Sequence, residues 1–372
     1  MTQLALLARL SADDRLPVER LTRHPRLPLV AGAATGCRLV RIWDCGGGQV
    51  RELAPVDLGL APEPDPADWW RPDGPPPVAW HPEQPLLVVA DGNTLTRWTP
   101  DGPAAAAQAP AVYHHLAFSP DGRALWAKPS GDSSHVLDLA TGAATPGPYW
   151  DTGVGVHPSG ELVATLVSDQ AATFCLFARP GDGDAQAMRQ LRHALVFTAD
   201  GYGTPLFSAN GRHLAIRGNS YFESVDVFAF PSLRRVLTRT FSEDQSEPWP
   251  PDNLAWDARP GVLWIGTPTG SLLELDVEAQ ETTEHAFPAD APVSALAATA
   301  SGDLLVARTN GELALLSVRP AAPVPEPTDD VTVFLAETDE VPLEGELEEH
   351  LVYTDGGGTW EYQELDDNQA MS

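Results

Sequence analysis

Short apolar runs alternate along this chain with turns of one recurring kind. Val112 to Leu116 leads into Phe118-Ser119-Pro120-Asp121-Gly122 and then Ala124-Leu125-Trp126. The same succession of strand, tight turn and second strand returns elsewhere. Val78-Ala79-Trp80-His81-Pro82 precedes Leu86 to Val89, Val154 to Gly160 precedes Leu162 to Ala164, and Leu206 to Gly211 precedes His213 to Ile216. Leu254 to Asp257 precedes Val262 to Ile265, Leu296 to Gly302 precedes Leu304 to Val306, and Leu21 to Pro25 precedes Leu29 to Gly32. The equivalent turn residue falls at 24, 81, 119, 157, 208, 257 and 299, so the intervals are 57, 38, 38, 51, 49 and 42. Each pair is followed by a third apolar segment: Leu39 to Asp44, Thr94 to Trp98, His135 to Leu139, Thr173 to Phe177, Ser224 to Phe228, Leu272 to Val277 and Leu313 to Val318. A glycine turn and a weaker fourth strand close the unit, as after Asp138 to Gly142. The pattern predicts seven four-stranded antiparallel sheets. Such a sheet cannot bury both apolar faces alone, so the units must stack on one another.

The intervals centre near the roughly 40–45-residue period of a propeller blade, and the longer ones leave room for loop insertions. Ile42-Trp43-Asp44 and Phe118-Ser119-Pro120-Asp121-Gly122, with Asp138 to Gly142, resemble a WD-repeat β-propeller, and the resemblance covers roughly residues 4–320. It implies an all-β, seven-bladed fold and a role in protein–protein interaction. The chain departs from the family's pattern in keeping the full Trp-Asp pair only at Trp43-Asp44 and in lacking a Gly-His dipeptide at each blade. The family's buried His–Asp–Ser/Thr–Trp network is therefore expected to be missing from most blades. The seventh unit ends near Val318 without a fourth strand, while Leu4 to Leu10 is strand-like and precedes the first unit. We expect that segment to complete blade seven, which would remove two open sheet edges.

Three insertions and a tail stand outside the repeats. Ala61 to Pro77 is Pro-rich and carries Trp69, Trp70 and Arg71; Asn219 to Glu223 carries Tyr221 and Phe222; Ser242 to Pro251 carries Trp249. Bulky loop aromatics either form a binding hot spot or fold back over a blade edge, and both readings are open here. The chain divides into a propeller over 1–320, a Pro-rich linker over 321–328 and an acidic extension over 329–372. Residues 326–372 hold 15 Asp/Glu, no Lys or Arg, and one His. Their apolar positions are nevertheless patterned. Asp330 caps a turn placing Val331, Phe334 and Leu335 on one face. Leu343, Leu347 and Leu351 follow at helical spacing, and Tyr353 to Tyr362 with Trp360 reads as a glycine turn flanked by aromatics. Helices this short need a surface to bury their apolar face. That surface belongs to a partner protein or to the chain's own propeller; a solvated tail is the third reading.

Charge narrows the function. With 23 Lys+Arg against 52 Asp+Glu the formal net charge is −29, which argues against nucleic-acid backbones and anionic membranes as partners and for a neutral or basic protein. Cys37, Cys45 and Cys175 make no disulfide framework or C-x-x-C pair. Met1 to Leu10 lacks the basic start of a signal peptide, and no apolar run reaches the length of a membrane span. A cytoplasmic protein is the expectation. No phosphate loop, His-Glu-x-x-His or Gly-x-Ser-x-Gly occurs, and no cofactor is implied. His24, His81 and His157 occupy one repeat position and so lie in different blades, which suits turns rather than a shared metal. His114 and His115 are expected to point to opposite faces of a strand. First-strand residues Val78, Leu116, Val154, Leu254 and Leu296 offer no carboxylate cluster. The expected function is a non-catalytic interaction scaffold or recognition subunit, with Trp69, Trp70, Arg71, Tyr221, Phe222, Trp249, Phe334, Leu347, Leu351 and Trp360 as candidate contacts and the tail as a second contact. The alternative is a propeller hydrolase with a divergent metal site in the central channel.

Overall fold

Alternate side chains of a strand point to opposite faces of its sheet, and here both faces are apolar. Leu87 and Val89 of the strand Leu87–Asp91 pack with Ala31, Ile42 and Trp98, whereas Val88 and Ala90 pack with Leu116, Leu125 and Ala127 of the next sheet. Repetition of this two-sided burial closes seven sheets into a β-propeller. The computed structural model describes residues 2–11, 17–59, 74–129, 133–139, 141–169, 172–181, 186–197, 199, 201–218, 223–241, 249–286, 291–320, 326–342 and 347–361.

Blades one to seven have inner strands Arg20–Arg23, Val78–Trp80, Tyr113–Phe118, Gly155–Val156, Leu206–Phe207, Leu254–Trp256 and Val293–Ala298. Each blade adds a second, third and fourth strand outward, all antiparallel. An apolar cluster fills each junction between neighbouring blades; between blades four and five it gathers Phe177, Leu195, Leu214, Ile216 and Phe228. Leu116, Leu254 and Leu296 are buried in these junctions.

The ring closes as the apolar N-terminal segment requires. Gln3–Ser11 is the fourth strand of blade seven and pairs antiparallel with Glu312–Arg319, setting Leu4 against Val318 and Leu10 against Leu313. Leu4 joins the core between blades six and seven, and Ala8 and Leu10 join the core between seven and one.

The seven marker residues all sit in the turn between first and second strands; the serine and histidine turns use two chemistries, while Asp257 Oδ1 accepts the Arg259 N–H at 2.7 Å and Thr299 Oγ1 lies 2.9 Å from Ser301 Oγ. Ser119 Oγ donates to Asp121 Oδ1 at 2.6 Å and accepts from the Ala124 N–H at 2.9 Å; Ser208 and Asn210 repeat this, with His213 N–H as donor. In the histidine version the ring replaces both side chains. His24 Nδ1 accepts from the N–H groups of Arg26 and Leu27, and His81 Nδ1 from those of Glu83 and Gln84. The other face of the ring reaches the next blade: His24 Nε2 lies 2.8 Å from the Gln84 carbonyl oxygen. The repeat-position histidines are thus turn formers, and His24 is also an inter-blade staple. Four tryptophans also tie blades together: Trp80 Nε1–H donates to the Thr22 carbonyl at 2.9 Å, Trp256 Nε1–H to that of Leu206 at 2.8 Å, Trp126 Nε1–H to that of Gln186 at 2.9 Å and Trp98 Nε1–H to that of Ala54 at 2.5 Å. Trp43 of the Trp-Asp pair has a buried Nε1 without a hydrogen-bond partner among the described residues, so the network typical of WD repeats is not built there.

Two local expectations are corrected. The register along Tyr113–Phe118 shifts between Tyr113 and His115, so strict alternation fails at His114 and the two histidines are not simply on opposite faces. The run Leu347 to Leu351 is not a longer helix but one 3₁₀ turn, Leu347–His350, leading into the strand Val352–Thr354; Leu343 lies outside the described residues.

The extension folds onto its own propeller. Helix α1 (Asp330–Glu337) starts after Asp329, which makes no side-chain cap, and buries Val331 and Phe334 in the junction of blades four and five. Val352–Thr354 then pairs parallel with the outer strand of blade four, Arg189–Phe197, and antiparallel with Thr359–Glu361. Blade four has six strands as a result. The glycine turn between aromatics is the hairpin expected from the sequence.

Candidate functional site

The sequence-derived candidates separate into three groups. Trp69, Trp70, Arg71, Tyr221 and Phe222 lie outside the described residues. Phe334 and Leu351 are buried, and Leu347 and Trp360 half-buried, against the chain's own blades. Phe334 packs edge-on to Phe177 at 5.2 Å and against Phe230 at 5.1 Å. Tyr353, beside Leu351, meets Phe174 at 5.5 Å. These apolar surfaces pack against the chain's own blades, the second of the surfaces open to them from the sequence. An open strand edge on blade four and an apolar segment on the same chain satisfy each other at high effective concentration.

Trp249 forms the third group and stands at the centre of a built arrangement. Its indole stacks on Phe241 at 4.5 Å with an interplanar angle of 18°. Arg217 lies beneath, its Cζ 4.9 Å from the Phe241 ring. Glu223 Oε2 accepts the Trp249 backbone N–H at 2.7 Å and lies 3.5 Å from Arg217 Nη2. Arg217 also donates to the Ser224 carbonyl at 3.2 Å and to Asn253 Oδ1 at 3.4 Å. Asn253 is held in turn by the Gly266 carbonyl at 2.7 Å.

Local chain direction explains this convergence. Arg217 is near the end of the second strand of blade five (His213–Gly218), Glu223 precedes the third (Ser224–Ala229), Phe241 follows the fourth (Arg235–Thr240), and Trp249 and Asn253 precede blade six. All these positions belong to one end of the blades. Burial holds the Arg217 guanidinium below its ordinary pKa, and Glu223 counters that by favouring the charged form. The guanidinium stays protonated at any ordinary pH because an arginine starts so high. Trp249 keeps part of its surface open while its orientation is fixed by Phe241 and Glu223. Such a rigid aromatic on a cation–π support suits contact with apolar or cationic side chains.

A second polar group lies at inner-strand ends. Arg20 of blade one pairs with Asp252, ahead of blade six, at 3.1 Å. Burial pushes the His115 imidazole down to about 4, with the positive charges of Arg20, His114 and Lys128 adding to the effect. Lys128, the chain's only lysine, is buried, donates to the Pro129 carbonyl at 2.8 Å and lies 4.5 Å from the Tyr149 ring centroid. Among the described residues no three His, Cys, Asp or Glu side chains gather as a metal site. No described helix is long and apolar enough to cross a membrane.

Sequence reasoning located Trp249 but missed its supports. Arg217 interrupts the apolar run His213 to Ile216, and Phe241 directly precedes the insertion; an arginine ending an apolar strand was the available signal. Comparison with known proteins finds no family model and no curated protein that matches this chain.

Proposed function

We propose that this chain is a cytoplasmic, non-catalytic interaction scaffold of WD-like design, whose partner is a neutral or basic protein received at the blade-five and blade-six end of the propeller. The observation that carries this reading is the Trp249–Phe241–Arg217 stack. A partly open tryptophan, oriented before any partner arrives, loses little freedom on binding and so contributes affinity efficiently. The surrounding chain has a net charge of −29, which steers a basic partner toward encounter. Cys37, Cys45 and Cys175 are all free thiols, in keeping with a reducing compartment.

The test is affinity capture from the source proteome with quantitative mass spectrometry, comparing the unaltered chain with Trp249→Ala. A protein recovered by the first, lost with the second and weakened by raised salt supports the reading. Identical recovery by both overturns it.

A further inference from the structure

The outer strands of the seven blades differ in how open they are to another chain. A sheet edge presents unpaired backbone groups, and proteins blunt it with short strands, proline, charge or a covering segment. Blade three ends in Ala144–Pro146, short and carrying proline, and blade six in Glu281–His285, with two glutamates. Blade four is covered by Val352–Thr354. Blade five ends in Arg235–Thr240, six residues long with no acid and no proline. Residues 229–241 contain Arg234, Arg235 and Arg239 and no Asp or Glu, in a chain with 52 acids and 23 bases. Arg239 has no ion pair among the described residues. Beside this strand runs a groove of about 320 Å³, lined by Arg235, Leu237, Arg239, Leu275, Gln280 and Thr282.

The molecule shows what such an edge accepts. The chain's own acidic extension lies along the neighbouring blade. Arg192 Nε–H donates to the His350 carbonyl at 2.8 Å, and Glu340 lies 3.5 Å from Arg189. The hairpin turn of that extension already touches the start of the blade-five edge: Arg235 N–H donates to the Gly356 carbonyl at 3.0 Å, and Arg235 Nη2 to that of Asp355 at 2.8 Å. Beyond Arg235 the strand bulges at Val236, whose carbonyl accepts a Gln280 Nε2–H at 2.9 Å, and residues 237–240 run without a partner strand among the described residues.

We propose that the outer edge of blade five over residues 237–240 is a docking site for an extended acidic segment of a partner protein, which adds to the sheet as a strand. Its backbone pairs with this edge, an apolar side chain enters the groove over Leu237 and Leu275, and its carboxylates meet Arg239 and Arg234. Local charge selects this occupant: a basic segment would be repelled by the exposed Arg234 and Arg239, whereas carboxylates pair with them. This edge is separate from the Trp249 stack and calls for a partner of opposite charge.

Fluorescence anisotropy with the full chain tests it, using three labelled eight-residue probes: alternating glutamate and valine, alternating lysine and valine, and the glutamate–valine peptide with every backbone amide methylated. The glutamate–valine probe is expected to bind, to weaken about tenfold with Arg239→Ala, and to lose binding when its amides are methylated. The lysine–valine probe is expected not to bind. Arg239 is exposed, so its substitution leaves the fold intact. Equal binding of the two charged probes, insensitivity to Arg239→Ala, or binding that survives amide methylation each overturns the proposal.

Discussion

His157 of blade four presents Nε2 to the backbone of Gly211 in the turn of blade five, so closely that a Cβ built on Gly211 would lie 2.1 Å from that nitrogen. Gly211 also has φ of +79°, a conformation that costs other residues about 1–2 kcal/mol. Gly122 repeats the relationship with His81 of blade two. Gly211→Ala should therefore lose both the left-handed backbone preference and the seat of the imidazole. Gly36 supplies the control, because its φ is +69° and a Cβ there meets nothing within 4 Å. In urea titrations Gly36→Ala should cost about 1 kcal/mol and Gly211→Ala clearly more. Equal losses would show that the His157 contact contributes nothing.

The buried histidines make the ring acid-sensitive. Burial pushes the His157 imidazole down to about 4, and burial likewise lowers His24, His81, His193 and His213. In the unfolded chain these rings titrate near 6.5. Between about 4 and 6.5 the unfolded state therefore binds more protons than the folded one, so stability rises with pH across that window. The contribution is complete above 6.5 and disappears as pH falls toward 4. For His157 alone the shift corresponds to about 3 kcal/mol. Thermal melts of His157→Gln should fall less steeply between pH 6.5 and 4.5 than those of the unaltered chain. Parallel curves would remove His157 as a source of acid sensitivity.

The legibility of the fold traces to local chemistry. Phe118-Ser119-Pro120-Asp121-Gly122 announces its turn because hydroxyl, carboxylate and glycine each satisfy a nearby backbone requirement, and seven related turns set the blade count. Leu4 to Leu10 was assignable to blade seven because an apolar segment and an incomplete sheet call for each other. Legibility failed where the environment overrides local preference. The spacing of Leu347 and Leu351 suggests a helix, but an open edge on blade four offers Val352–Thr354 backbone partners that a short isolated helix lacks. The Trp249 stack was only half visible, since Arg217, Glu223, Phe241 and Trp249 come from four chain segments joined by blade geometry alone.

Ring closure depends on eight residue pairs between Gln3–Ser11 and Glu312–Arg319. Removing residues 1–11 exposes Leu313, Leu315 and Leu316, which are now buried, and opens the edge of blade seven. The melting temperature should drop by on the order of 10 °C, the shift expected for a loss of several kcal/mol in a chain of this size. Leu10→Asp should act in the same direction by placing a carboxylate in the junction with blade one. A truncated chain that melts with the unaltered one would mean the ring is closed without this strand.

The extension should release as a unit when its anchor is cut. Phe334 is 3% exposed and meets Phe177, His193 and Phe230. Truncation of such a buried ring costs about 3–5 kcal/mol. Helix α1 has only eight residues and cannot persist without that contact. The loss should then reach Val352–Thr354, whose pairing with the blade itself consists of three parallel residue pairs. The propeller beneath keeps all its strand pairing and the blade residues of its inter-blade cores, and should remain folded. Hydrogen exchange of Phe334→Ala is therefore expected to show faster exchange over 330–337 and 352–354, with the third strand of blade four, Ala172–Arg179, still protected. Acceleration confined to α1 would mean the strand docks independently. Acceleration throughout blade four would mean the extension is part of that blade's core, and a chain lacking it would then not fold.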